Sequence, residues 1–99
     1  MSLRSLVFII ALGAWSMAGA QDASQVRLLA ANCANCHGPD GRSQGGMPAL
    51  AGLTKPYIAE QMRDFKSGKR AATIMHQLAK GYTDAEIDAL AAYFSSLKN

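Results

Sequence analysis

Cys33-Ala34-Asn35-Cys36-His37 holds two thiols three positions apart with a histidine directly after the second, the attachment signature of covalently bound, c-type haem. Each cysteine sulfur can add to one vinyl group of the macrocycle. Two intervening residues in a helical turn set the sulfurs at matching positions, and His37, next along, stands where an imidazole can bind iron. Other uses of the same residues fit less well. A thioredoxin-like redox pair belongs in a βαβ context, and the helical patterns described below leave no strand for one; a structural disulfide between Cys33 and Cys36 is set aside with it. A zinc site drawing on Cys33, Cys36, His37 and His76 would need adjacent ligands at Cys36 and His37, a poor match to a tetrahedral structural site.

Upstream of the motif, Arg4 is the only early charge, an apolar run extends from Leu6 to Trp15, and small residues follow at Ala18-Gly19-Ala20. This pattern reads as a secretory signal peptide over residues 1–20, cleaved near Ala20 before Gln21, and it implies export to the periplasm. An apolar core of about ten residues is too short to span a bilayer comfortably, although an uncleaved anchor is the alternative. No other segment is long and apolar enough to cross a membrane, so no stable insertion is expected after cleavage. Residues 21–99 then form a single domain of about 79 residues, a size at which an apolar interior alone is marginal without a metal, disulfide or cofactor. A haem supplies that staple, because side chains can wrap a large apolar plate rather than pack only on one another. Without it the polypeptide is expected to be largely disordered.

The chain carries a formal charge of +3, which becomes +2 without Arg4 because every acidic residue follows the leader. Two haem propionates would bring the total near zero. Nucleic acid and strongly anionic membranes both call for a basic stripe, so neither is an expected partner. Arg63, Lys66, Lys69 and Arg70 do form a local cluster, readable as a solvated helix face or as a docking patch for an acidic partner.

Three helical patterns appear, separated by glycine-rich loops. In the first, Val26, Leu29, Ala30 and Cys33 recur at helical spacing and lead into the haem motif, with Asp22 and Gln25 as a capping pair. The second runs from about Pro56 to Ser67, with Ile58, Met62 and Phe65 on one side and Gly68 as a stop. The third starts at Thr83, capped reciprocally with Glu86, and carries Ile87, Leu90, Ala91, Phe94 and Leu97 on its stripe. Between the first two lies His37-Gly38-Pro39-Asp40-Gly41 and then Gly45-Gly46-Met47-Pro48-Ala49-Leu50-Ala51-Gly52. A connection of this length in a small domain points to a functional loop. It can wrap the proximal face of the haem, where the carbonyl of Pro48 could accept a hydrogen bond from His37 Nδ1 and raise the basicity of the ring. On spacing alone an ordinary turn proline explains Pro48 equally well.

The sixth iron ligand separates electron transfer from substrate chemistry. Met47 follows His37 too closely to cross easily to the opposite face, and Met62 sits mid-helix on an apolar stripe where core packing is its default use. Met75, in the weakly patterned stretch Arg70-Ala71-Ala72-Thr73-Ile74-Met75-His76, is the favoured ligand, delivered by a loop. His76 keeps bis-histidine ligation open as the alternative, or modulates the site from beside Met75. Histidine plus methionine fills both axial positions, and a thioether raises the reduction potential relative to a second histidine. Such an iron shuttles electrons rather than binding substrate.

With the haem motif, Pro48-Ala49-Leu50, Met75 and a C-terminal aromatic helix together, the chain resembles class I c-type cytochromes. That resemblance implies an all-α fold, a small class I cytochrome c fold of helices and loops wrapped around one covalent haem, with Cys33, Cys36, His37, Pro48 and Met75 binding the cofactor and His37 and Met75 as its metal ligands. It also implies crossing terminal helices, with Val26 and Leu29 meeting Leu90 and Phe94. Lys66-Ser67-Gly68-Lys69-Arg70, Thr73-Ile74-Met75 and Ala79-Lys80-Gly81-Tyr82-Thr83 are similar to the cytochrome subunits of flavocytochrome c sulfide dehydrogenases. The implied role is an electron acceptor for a sulfide-oxidising flavoprotein in the periplasm. Many such subunits carry two haem domains, whereas this chain has one attachment motif. A free electron shuttle serving an oxidase, a reductase or another redox protein is the runner-up, and a haem sensor or enzyme with an open distal site is a third reading.

Overall fold

Side-chain caps start three of the four helices among the described residues, and the computed structural model, which describes residues 22–98, places the four in the order α1 (Ala23–His37), α2 (Lys55–Ser67), α3 (Met75–Lys80) and α4 (Asp84–Ser96). A short 3-10 turn, Pro39–Gly41, follows α1. There is no strand among the described residues, in keeping with the all-α expectation. The leader expected over residues 1–20 lies outside the described residues. No helix among them is long and apolar enough to cross a membrane.

Asp22 caps α1 by accepting the Gln25 amide at 2.9 Å. Hydrogen bonds from the Ser24 hydroxyl and then the Gln25 amide hold its carboxyl below the usual range. Gly38 ends α1 at φ +83°, and a Cβ there would lie 2.6 Å from the Arg42 carbonyl oxygen, so only glycine fits. Thr54 caps α2, whose first turn holds Pro56, and Gly68 closes it in the left-handed conformation. Thr83 and Glu86 form a reciprocal capping box at the start of α4, with hydrogen bonds of 2.9 and 3.1 Å.

The core gathers Ala30 of α1, Ile58 and Ala59 of α2, and Ile87, Leu90, Ala91 and Phe94 of α4. Helix α4 is its spine, with Ile87 fully enclosed. Complete burial of a side chain of this size contributes about 1.5–3 kcal/mol. Polar bonds reinforce the α2–α4 contact: Arg63 Nη2 meets Asp88 Oδ1 at 2.5 Å and Lys66 Nζ lies 3.6 Å from Asp84 Oδ1, while Lys66 also donates to the carbonyl of Tyr82 in the turn before α4 at 2.6 Å.

Two expectations need correction. Helix α1 does pack on α4, and Ala30, with Leu29 and Cys33 against it, joins the cluster that holds Leu90 and Phe94, whereas Val26, one turn earlier, is buried outside that cluster. Two helices that cross at an angle share only a short stretch of their surfaces. The segment expected to deliver Met75 as a loop instead begins a fourth helix at that residue. Six residues are too few to display a periodicity or to hold a helix alone. Helix α3 forms because it packs on α2, with Ala79 wholly buried.

Thr83→Ala removes a cap and is expected to cost about 1 kcal/mol. Ile87→Ala opens a cavity at the spine and should cost roughly 2–5 kcal/mol. Chemical denaturation of the haem-loaded variants checks both values.

Candidate haem site

Cys33, Cys36 and His37 fall at positions i, i+3 and i+4 in the last turns of α1, so helix geometry sets them on one face. Both cysteines are free; Cys33 is half-buried and Cys36 exposed. Burial pushes the Cys33 thiol up from its ordinary range, which keeps it protonated at neutral pH. His37 is only 8% exposed. Its Nδ1 lies 2.6 Å from the carbonyl oxygen of Pro48. A carbonyl can only accept, so Nδ1 carries a proton, and in the neutral ring Nε2 keeps a free lone pair, the tautomer that a metal requires.

The loop that carries Pro48 is anchored just beyond it. The Gly41 carbonyl accepts the amides of Leu50 at 2.8 Å and Ala51 at 3.3 Å, and the Gly52 amide donates to the Phe94 carbonyl at 3.1 Å. Gly41 has φ +70°, and a Cβ there would lie 2.9 Å from both the Leu50 Cβ and the Phe94 ring. From the sequence, this glycine-bearing loop is expected to wrap the haem rather than to pack against the C-terminal helix. The close approach to α4 depends on residues more than fifty positions away and left no local signal.

Met75 is half-buried at the first position of α3. His76, beside it, is also half-buried, and its Nδ1 has no hydrogen-bond partner among the described residues. This histidine lines a cleft of about 290 Å³ together with Arg70 and Lys80. The basic cluster is smaller than the sequence suggests, because Arg63 and Lys66 are engaged by the carboxylates of α4. Arg70 hydrogen-bonds Gln61 and stacks 4.6 Å over the Phe65 ring. Among the described residues Lys69, Arg70 and Lys80 have no carboxylate partner.

Several large apolar side chains remain open to solvent: Met47 beside Pro48, Tyr57 in the first turn of α2, and Ile74 and Leu78 on either side of Met75, between 44% and 54% exposed. An apolar plate bound beside Pro48 and Met75 would cover side chains of this kind, whereas Leu28 on α1, at 73%, is more exposed still. Free thiols at the attachment spacing, an imidazole with its Nδ1 committed, a thioether and uncovered apolar surface make a donor set that fits haem c. No group of three or more His, Cys, Asp or Glu residues among the described residues is arranged for a metal ion, so the zinc alternative gains no support.

Comparison with known proteins agrees with this chemistry. Residues 23–98 match the cytochrome c family. The cytochrome subunit of sulfide dehydrogenase from Chlorobaculum tepidum is 43% identical over 74 residues, covering 75% of this chain and 67% of that protein. Cytochrome c-553 from Helicobacter pylori is 37% identical over 92 residues, covering 91% of this chain and 96% of that protein. A solved cytochrome c4 from Acidithiobacillus ferrooxidans superposes with a TM-score of 0.63 at 46% identity, over 66% of this chain and 38% of that one. The chain spans less than half the length of several further relatives. Over nearly all of its described length, then, the chain belongs to the cytochrome c family, whose members carry covalently bound haem c and transfer electrons.

Proposed function

We propose that this chain is an exported, periplasmic cytochrome that accepts electrons from a sulfide-oxidising flavoprotein, with Cys33 and Cys36 tethering the haem and His37 and Met75 as axial ligands. The bound haem supplies an iron that takes up and releases one electron at a time. The protein's residues define how that electron is held. The thiols of Cys33 and Cys36 would hold the haem through thioethers formed by adding S–H across its vinyl groups, fixing it to α1. His37 donates Nδ1–H to Pro48, and this bond orients the ring and strengthens Nε2 as a donor. Met75 offers a thioether from the start of a helix packed on α2, and a sulfur ligand favours the reduced iron. Were His37 and Met75 both to hold the iron, no position on it would be left for substrate, and membership of the cytochrome c family supports electron transfer over the sensor or enzyme reading.

The 2.6 Å contact between His37 Nδ1 and Pro48 carries the ligation reading. The likeness to the sulfide dehydrogenase subunit supports the choice of partner, and Lys69, Arg70 and Lys80 offer it unpaired positive charge. The near full-length match to cytochrome c-553 favours the second reading, a freely diffusing shuttle.

Substituting Met75→Ala should abolish the weak long-wavelength charge-transfer band of the ferric protein and allow rapid carbon monoxide binding to the ferrous form, while His76→Ala keeps the band. The opposite pattern would assign the distal position to His76. Gentle purification of the native protein is expected to bring down a flavin-containing chain in whose presence sulfide reduces the haem. A strictly monomeric cytochrome that sulfide-oxidising fractions do not reduce would instead establish the free shuttle.

A further inference from the structure

The end of α4 touches the Pro48 loop at more points than packing requires. The Phe94 carbonyl accepts the Gly52 amide, and the Phe94 ring lies against Gly41 so closely that a methyl group there could not fit. Gly41 in turn holds Leu50 and Ala51 through its carbonyl. Tyr93 Oη donates to Asp40 Oδ1 at 3.0 Å, and Arg42 Nε donates to the Lys98 carbonyl at 3.0 Å. Asp40 is the one non-glycine residue at positive φ among the described residues, at +54°. A residue held there persists because its surroundings over-determine it, and here the Tyr93 hydroxyl and the Arg42 guanidinium grip both carboxylate oxygens.

The Phe94 contacts and the Gly41 carbonyl bind Gly41, Leu50, Ala51 and Gly52, and Tyr93 and Arg42 tie down the adjoining Asp40, so both ends of the loop carrying Pro48 are held. We infer that the last turn of α4, through Tyr93 and Phe94, is a positioning strap that sets the Pro48 carbonyl against His37 and thereby tunes the electron affinity of the iron. The inference rests on His37 being the proximal ligand. Neither Tyr93 nor Phe94 need touch the cofactor; both act through Asp40, Gly41 and Gly52. The direction follows from the chemistry of the bond. A short Nδ1–H···O bond makes the imidazole a stronger donor and stabilises the oxidised iron, so loosening the strap weakens that donation and raises the reduction potential.

The test measures midpoint potential, thermal stability and the ferric long-wavelength band in three haem-loaded variants. Tyr93→Phe removes one bond of the strap and should raise the potential while retaining the band. Gly41→Ala, which forces Leu50 and Phe94 apart, should raise it further. Thr83→Ala weakens α4 at its opposite end and should lower stability without moving the potential, which separates positioning from a loss of stability in general. Should Gly41→Ala fail to accumulate as holoprotein, the comparison of Tyr93→Phe with Thr83→Ala decides alone. The strap is overturned if the potential of Tyr93→Phe equals that of the wild type, or if it moves no further than that of Thr83→Ala. A wild-type protein without the methionine band would count against Met75 and leave the comparison intact, because the strap acts on His37 whichever side chain fills the other position.

Discussion

One hydrogen bond, from the imidazole Nδ1 of His37 to the carbonyl oxygen of Pro48 at 2.6 Å, constrains the rest of this small domain. It joins the last residue of α1 to a loop eleven positions later, so the chain must reverse immediately after the haem motif. Gly38 makes the reversal at a backbone angle that a side chain could not share the space with. Gly41 then lets the returning loop pass against Phe94. The same bond assigns the imidazole proton. In its neutral form a histidine whose Nδ1 is committed to a carbonyl presents Nε2 unprotonated, so a metal held there would meet a ring already oriented.

The second constraint is the scarcity of core. Seven residues make up the central buried cluster, three of them alanines, and Met47, Ile74 and Leu78, close in sequence to Pro48 and Met75, stay open to solvent. A domain of this size leaves little margin between burial and chain entropy. Covalent haem resolves both problems at once, because it offers those side chains a surface to cover and cannot dissociate. Structure and electron transfer therefore depend on the same group, and a residue that positions the cofactor also stabilises the fold.

Much of this was legible from residue spacing. The haem motif, the capping pairs at Asp22 and Thr83, the stop at Gly68 and the stripe from Ile87 to Phe94 are local patterns, and local rules of helix chemistry read them directly. Helix α3 was not legible, because its six residues show no period and it owes its existence to packing against α2. Val26 was placed in the terminal-helix contact because its stripe is continuous with Ala30, and only the crossing of the helices reveals where contact stops. The basic cluster looked larger than it is, since Asp84 and Asp88 lie far from Arg63 and Lys66 in sequence and near them in space. Pro48 stood undecided between turn proline and hydrogen-bond acceptor for a similar reason. The path of the loop that brings it to His37 is governed by contacts of Gly41 and Gly52 with α4, which no spacing rule contains.

The most direct test of the central claim is the proton inventory of the His37 ring, read by nitrogen-edited NMR of the ferrous holoprotein. The account predicts one ring proton, on Nδ1, exchanging slowly with water, and none on Nε2. A proton on Nε2, or an Nδ1 proton exchanging as freely as that of an exposed histidine, would contradict it.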